Sequence, residues 1–353
     1  MNIRNLTDRS RAVLQVRARA PLRLGFAGGG TDVSPYAETF GGRVLNATIN
    51  MYAQTSLQLR DDDKLRFVAA DMAVSCEHDA SEDIPLADPL VLHKAVHRRI
   101  SRDFLGGAPL AVTVTTASDA PPGSGLGSSS TLVVSMLEAY RELLALPLGE
   151  YDIAQLAYEI ERVDVGQAGG KQDQYAAAFG GVNFLEFSTR GAIVNPLRIR
   201  QSTLYELESM LVLYFTGVSR ESSRIIARQV AALSGEEGDN LAAMHQIRED
   251  AGAMKDALLR NDLREMSEIL AHSWQAKKRA AEGITNAEID RVYDVAMASG
   301  ALAGKVSGAG GGGFMFFMVD PVRRPEVIRA LKREPGLVTT TGFSAQGSQA
   351  WRV

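Results

Sequence analysis

Glycine placement constrains this chain more than any other feature. Of 33 glycines in 353 residues, 21 fall within residues 23–42, 123–127, 166–181 and 300–313. Glycine loses more backbone entropy on folding than any other residue. Clusters of it mark places where the backbone turns through positive φ or comes close to something. These four stretches are therefore where a site is sought.

Composition narrows the class. Apolar residues make up 45% and charged residues 23%, ordinary for a soluble fold with a core. The length favours two domains. A formal net charge of −4 argues against nucleic acid as a partner, which usually calls for a basic stripe. The lone cysteine, Cys76, has no internal disulfide partner. With no Cys/His ligand spacing, it suits a reducing cytoplasm and no structural zinc. No apolar run approaches the ~18 residues of a membrane span. Met1 to Gln15 lacks the apolar core of a signal peptide.

Periodicity predicts strands at Val13–Ala20, Tyr52–Leu59, Leu110–Thr116, Val182–Phe187, Phe314–Val319 and near Leu337–Thr341. It predicts helices at Pro89–Phe104, from Ser128 through Leu144, at Tyr151–Val163, and roughly at Arg220–Leu233, Asp239–Leu259, Asp262–Ala281, Asn286–Ser299 and Val322–Lys332. The serines before Leu132 read as N-caps. Arg60–Lys64 reads as a hairpin tip. The pattern is α+β in two domains, 1–195 and 196–353, with the boundary beginning in the turn-like segment Phe187–Pro196.

Each glycine cluster offers a ligand reading beside a structural one. Gly123–Ser130 runs into a helix N-terminus, where backbone N–H groups and the helix dipole favour a phosphate. The alternative is a tight turn with a capped helix. A Walker A loop is excluded, because Gly170-Lys171 is followed by Gln172 and Gly304-Lys305 by Val306. Gly308–Gly313 matches G-x-G-x-x-G but precedes a strand, so a dinucleotide fingerprint fails. Close approach to a ligand or another loop fits better than a plain hairpin. Asp173 is an N-cap or a carboxylate at a cleft edge. Asp32, after Gly28-Gly29-Gly30-Thr31, is a turn or helix cap, or an acceptor for polyol hydroxyls.

Three motifs together resemble the GHMP kinase superfamily of galactokinase, homoserine kinase and mevalonate kinase. They are Ala20-Pro21-Leu22-Arg23, then Pro122-Gly123-Ser124-Gly125-Leu126-Gly127-Ser128-Ser129-Ser130, then Lys305-Val306-Ser307-Gly308-Ala309-Gly310-Gly311-Gly312. The resemblance implies a ribosomal protein S5 domain 2-like N-terminal domain, a ferredoxin-like C-terminal domain, and ATP with Mg²⁺ between them. It implies Asp173 as the catalytic carboxylate and Arg23 as its cationic partner. Pro122 to Ser130, with Gly310 and Gly311, would bind ATP; Ser129 and Glu161 would hold Mg²⁺. Asp32 matches a sugar-binding aspartate.

The departures from galactokinase are informative. Its glutamate and histidine after the first motif are Gly29 and Gly30 here, so a contact is lost and volume is gained. The strings from Phe26 to Asp32 and from Asp164 to Gln174 are similar to the branch acting on D-glycero-D-manno-heptose 7-phosphate at its anomeric hydroxyl. ATP and a sugar phosphate are then the implied partners. Gly28, Gly29, Gly30, Thr31, Asp32, Lys171, Gln172, Arg220, Arg224 and Gly308 are the implied substrate contacts. Lys171, Arg220 and Arg224 are the cations for the distal phosphate; the two arginines also suit helix-face ion pairs. An L-fucose or other free-sugar kinase and a non-catalytic sugar sensor are the alternatives.

Overall fold

Alternating residues build the first strand, β1 (Gln15–Ala27), in the computed structural model, which describes residues 14–218, 222–232 and 238–353. A short helix α1 (Tyr36–Phe40) leads into the long β2 (Gly42–Leu59), then β3 (Lys64–Ala69) and β4 (Val74–Asp79). Helix α2 (Val91–Phe104) precedes β5 (Val112–Ser118). Next come α3 (Ser128–Leu144) and α4 (Glu150–Glu159), which ends in a π-turn at Ile160–Asp164, and α5 (Gln172–Phe179). Strands β6 (Val182–Ser188) and β7 (Gly191–Pro196) form a hairpin. The second half runs α6 (Gln201–Met210), β8 (Leu211–Phe215), α7 (Ser222–Ala232), α8 (Asp239–Leu259), α9 (Leu263–Ala280) and α10 (Ala287–Ala298). It closes with β9 (Ala301–Val306), β10 (Phe314–Val319), α11 (Arg324–Leu331), β11 (Leu337–Thr339) and β12 (Gln349–Arg352).

The strands form two sheets, confirming the α+β expectation. One runs β12-β1-β2-β5-β3-β4, with β6 joined to the first half of β2 and β7 to β6; the other runs β11-β8-β10-β9. All pairs are antiparallel except β3 with β5. The segment Phe187–Pro196, read from its turn residues as the start of the boundary, is the β6–β7 hairpin turning at Thr189-Arg190. The division expected at 195/196 falls at the end of β7. The last strand of the chain, β12, pairs with β1.

The continuous apolar run in β10 is explained by burial on both sides. Phe314, Phe316 and Met318 enter a core shared with Leu22, Leu24 and Phe26 of β1 and with α8 and α9. Met315, Phe317 and Val319 enter a separate core with α10 and α11. A strand covered on both faces reads as unbroken hydrophobics rather than as alternation. A third core lies between the first sheet and α2 to α5. On β1, Arg23 sits between Leu22 and Leu24, so alternation sends it to the opposite face, where the glycine loops gather.

Candidate active site

The four glycine clusters converge on one cleft of about 470 Å³. It is lined by Gly29 and Gly30, by Gly123 to Ser130 in part, by Gln167 to Gly170, and by Gly308 and Ala309. Arg23, Glu161, Asp173 and Lys277 also line it.

The Gly123–Ser130 segment is shaped by contact with the third motif. Gly125 has φ +82°, and a Cβ there would lie 2.3 Å from the Ser307 carbonyl oxygen. Phe314 donates its N–H to Ser124 O at 2.7 Å. Gly308–Gly313 is thus both the β9–β10 turn and a surface laid against another loop. Helix α3 begins at Ser128 with Gly127 as N-cap and no side-chain cap. The serines do not cap it, contrary to expectation. Ser128 Oγ instead donates to Pro121 O at 3.0 Å and meets Ser124 Oγ at 3.0 Å. The first-turn N–H groups lack intrahelical partners and sit at the cleft with Ser129.

Asp173 is the second residue of α5 and comes to lie beside Gly127. Arg23, 3% exposed, donates Nε to Asp173 Oδ1 at 2.8 Å, and its Nη2 lies 2.6 Å from the same oxygen. Its Nη1 donates to Gly125 O at 2.7 Å and to Ser307 Oγ at 3.3 Å. One guanidinium therefore ties β1, α5, the Gly123–Ser130 loop and the turn after β9 together. Among the described residues no donor engages Asp173 Oδ2, which remains able to accept from a molecule in the cleft.

Glu161 lies in the π-turn, a backbone irregularity that often re-aims a functional side chain. Its Oε1 accepts from Ser129 Oγ at 3.3 Å, and its Oε2 from Gln174 Nε2 at 2.6 Å. Gln174 is fully buried and also donates to Ser130 Oγ at 3.0 Å. Arg162 Nη1 is 3.7 Å from Glu161 Oε1.

Asp32 has a different surrounding from the one its sequence position implied. Its Oδ1 accepts from Gly30 N at 3.0 Å and Gln172 Nε2 at 3.1 Å. Its Oδ2 accepts from Lys171 N at 2.9 Å and Gln172 N at 3.0 Å. A carboxylate offers about four lone-pair sites, and all four are taken. Asp32 thus caps the start of α5 from another part of the chain, the structural alternative left open by the sequence, and it also lines the cleft.

Other expected site residues divide. Gly29, Gly30, Gln172, Gly308, Pro122, Gly123, Gly125, Gly127 and Ser128 to Ser130 line the cleft. Thr31 is buried on the carbonyls of Gly28 and Arg43, and Gly28 is pressed against Arg43. Ser124 and Leu126 are fully buried. Gly310 and Gly311 pack against Ile284, to which Gly311 donates its N–H at 2.8 Å. The Lys171 ammonium pairs with Glu38 at 2.7 Å and does not line the cleft. Arg220 lies outside the described residues. Arg224 falls within α7, but its side chain is also outside them.

Two lysines buried beside β1, Lys277 and Lys305, had no role in the sequence reading. Lys305 Nζ donates to Gly25 O at 3.1 Å and to Phe26 O at 3.4 Å. Lys277 Nζ donates to Gly29 O at 2.7 Å. Burial pushes the Lys305 ammonium down to about 7, with Lys277 and Arg23 adding repulsion. Burial pushes Lys277 down to about 8, aided by Arg23 and opposed by Asp32. The signal was present. Leu270, Ser273, Trp274 and Lys277 share the buried face of α9, and a lysine on such a stripe calls for a reason.

Residues 91–181 match the GHMP kinases N terminal domain, and residues 254–336 the GHMP kinases C terminal domain. The chain is 47% identical over 339 residues to D-glycero-alpha-D-manno-heptose 7-phosphate kinase of Campylobacter jejuni, covering 96% of this chain and 99% of that protein. A crystal structure described as a D-glycero-D-manno-heptose 1-phosphate kinase from Bacteriodes thetaiotaomicron matches with TM-score 0.81 and 43% identity, over 96% of this chain and 99% of that one. L-fucokinase/L-fucose-1-P guanylyltransferase of Bacteroides fragilis is 26% identical over 90% of this chain, which spans 36% of that longer protein.

Proposed function

The chain belongs to the GHMP kinase family, and we propose that it transfers the γ-phosphoryl group of ATP to the anomeric C1 hydroxyl of D-glycero-D-manno-heptose 7-phosphate, giving the 1,7-bisphosphate. The observation that carries the chemistry is the asymmetric Asp173 carboxylate. Arg23 engages Oδ1, while Oδ2 has no donor among the described residues and belongs to a carboxylate lining a cleft bordered by a helix N-terminus. The full-length similarity to heptose phosphate kinases supports the acceptor. The side-chain-free Gly29 and Gly30 leave room for a bulky sugar.

Asp173 Oδ2 orients the acceptor hydroxyl and takes its proton as the hydroxyl oxygen bonds to the γ-phosphorus and the bond from that phosphorus to the bridging oxygen breaks, releasing ADP. Backbone N–H groups at the start of α3 receive the phosphates of ATP. The Arg23 guanidinium keeps Asp173 in place, so little reorganisation accompanies transfer. Mg²⁺ suits the donor set at Ser129 and Glu161, a hydroxyl and a carboxylate oxygen 3.3 Å apart, because it takes one or two carboxylates plus substrate phosphates. When bound there it would neutralise phosphate charge. Gln174 and Arg162 would keep Glu161 in position. The product suits a route to an activated heptose such as GDP-heptose, and the cytoplasm supplies ATP.

Asp173→Asn tests the assignment. It should bind ATP as the wild type does by calorimetry and lose about 10²–10⁴-fold in turnover. Turnover within a few-fold of wild type would remove Asp173 from the chemistry.

A further inference from the structure

We infer that Lys277 receives an anionic group of the phosphoryl acceptor and so makes the enzyme prefer a phosphorylated sugar to a free one. This deepens the phosphoryl-transfer reading and rests on it. Lys277 lines the cleft on the side of Gly29, Gly30 and Asp32 and is only 5% exposed. Its ammonium has three N–H donors, and among the described residues one is used, on Gly29 O. It makes no ion pair among the described residues. The carboxylate that acts on it, Asp32, already has four donors of its own.

A buried cation without a partner is costly, and an apolar residue of similar size usually serves packing as well or better. The neighbours of Lys277 on α9, Leu270 and Trp274, are core residues, so packing alone gives no reason for a charge. The buried Lys305 is the contrast. Lys305 has two backbone carbonyls in reach and does not line the cleft, which suits a strap between β9 and β1. Lys277 has spare donors, lines the cleft, and stands beside two glycines whose missing side chains leave space for a phosphate. Lys171, a sequence-level candidate for that phosphate, is already neutralised by Glu38.

The test compares acceptors rather than absolute rates. Wild type, Lys277→Met and Lys277→Gln are assayed by coupled ADP release on D-glycero-D-manno-heptose 7-phosphate and on the free heptose. Glutamine retains a donor for Gly29 O, so it serves if the methionine variant fails to fold. The ratio of kcat/KM for phosphorylated over free sugar should fall about 10–100-fold, the worth of a charged hydrogen bond. The loss should sit in KM for the sugar phosphate, with KM for ATP within about twofold. A ratio unchanged in both variants, or a loss confined to KM for ATP, overturns the inference. So does a wild-type enzyme that prefers the free sugar. A wild-type enzyme that prefers another sugar phosphate retires the heptose reading alone, and the same ratio on that acceptor then decides Lys277.

Discussion

Replacing Asp32 by asparagine separates a cap from a sugar ligand. The carboxylate accepts four hydrogen bonds, two at each oxygen. Asparagine offers one carbonyl oxygen and one NH₂. With the NH₂ toward Lys171 N and Gln172 N, it faces two backbone donors and two bonds are lost. Turned the other way, it faces Gly30 N and the Gln172 side-chain amide, which can flip to accept, so one bond is lost. Hydrogen bonds to a charged group are worth ~1.5–3 kcal/mol each, so the variant should lose ~1.5–6 kcal/mol. At roughly 2–4 °C per kcal/mol for a large domain, its Tm should fall by on the order of 10 °C. The measurement is thermal unfolding of the protein without ligands, followed by kinetics on the folded fraction. Because Asp32 holds the first turn of α5, on which Asp173 sits, kcat should fall as well. An unchanged Tm with only the sugar KM raised would mean that Asp32 binds the acceptor directly.

Three further outcomes follow from the geometry. Gly125→Ala should lower Tm and raise KM for ATP. It places a Cβ 2.3 Å from the Ser307 oxygen at φ +82°, where a left-handed conformation alone costs ~1–2 kcal/mol; wild-type values for both would show that the two loops do not bear on each other. Glu161→Gln should shift the Mg²⁺ concentration for half-maximal activity upward at least several-fold, and an unchanged titration would place the ion elsewhere. Stability should fall on acidification because burial pushes His93 and His97 down to about 4 from 6.5. Between those values the unfolded chain binds the extra protons, so stability present above pH 6.5 drains as pH falls toward 4, at about 2 kcal/mol per histidine by pH 5. A Tm that is flat from pH 7 to 5, or a fall unaltered in His93→Gln, would count against this.

The glycine clusters disclosed where the cleft lies, because close approach needs the missing Cβ whatever the backbone meets. They did not disclose which side chains face it. Thr31 and Leu126 lie inside the expected motifs but turn into the fold, since a motif records spacing and not direction. Asp32 and Asp173 look alike in sequence, each an aspartate after glycines. Only the tertiary arrangement, which brings Lys171 and Gln172 onto Asp32, makes one a cap and leaves the other an open oxygen. The Arg23–Asp173 pair spans 150 residues, and its expectation came from family resemblance rather than from local pattern. Strand β12 is four residues long and paired with the other end of the chain, beyond what a local period registers. Lys277 was legible as a charge on an apolar helical stripe, but its neighbours in the cleft come from β1 and the loop after it.

The central claim is met most directly by identifying the product. Purified enzyme, ATP, Mg²⁺ and D-glycero-D-manno-heptose 7-phosphate are incubated, and the sugar is followed by phosphorus NMR with proton coupling. A second phosphate signal coupled to the anomeric proton, appearing in step with ADP while the 7-phosphate signal persists, is the predicted result. ADP formation with phosphate on another carbon, or no transfer to this sugar beside brisk transfer to an unphosphorylated one, would contradict it.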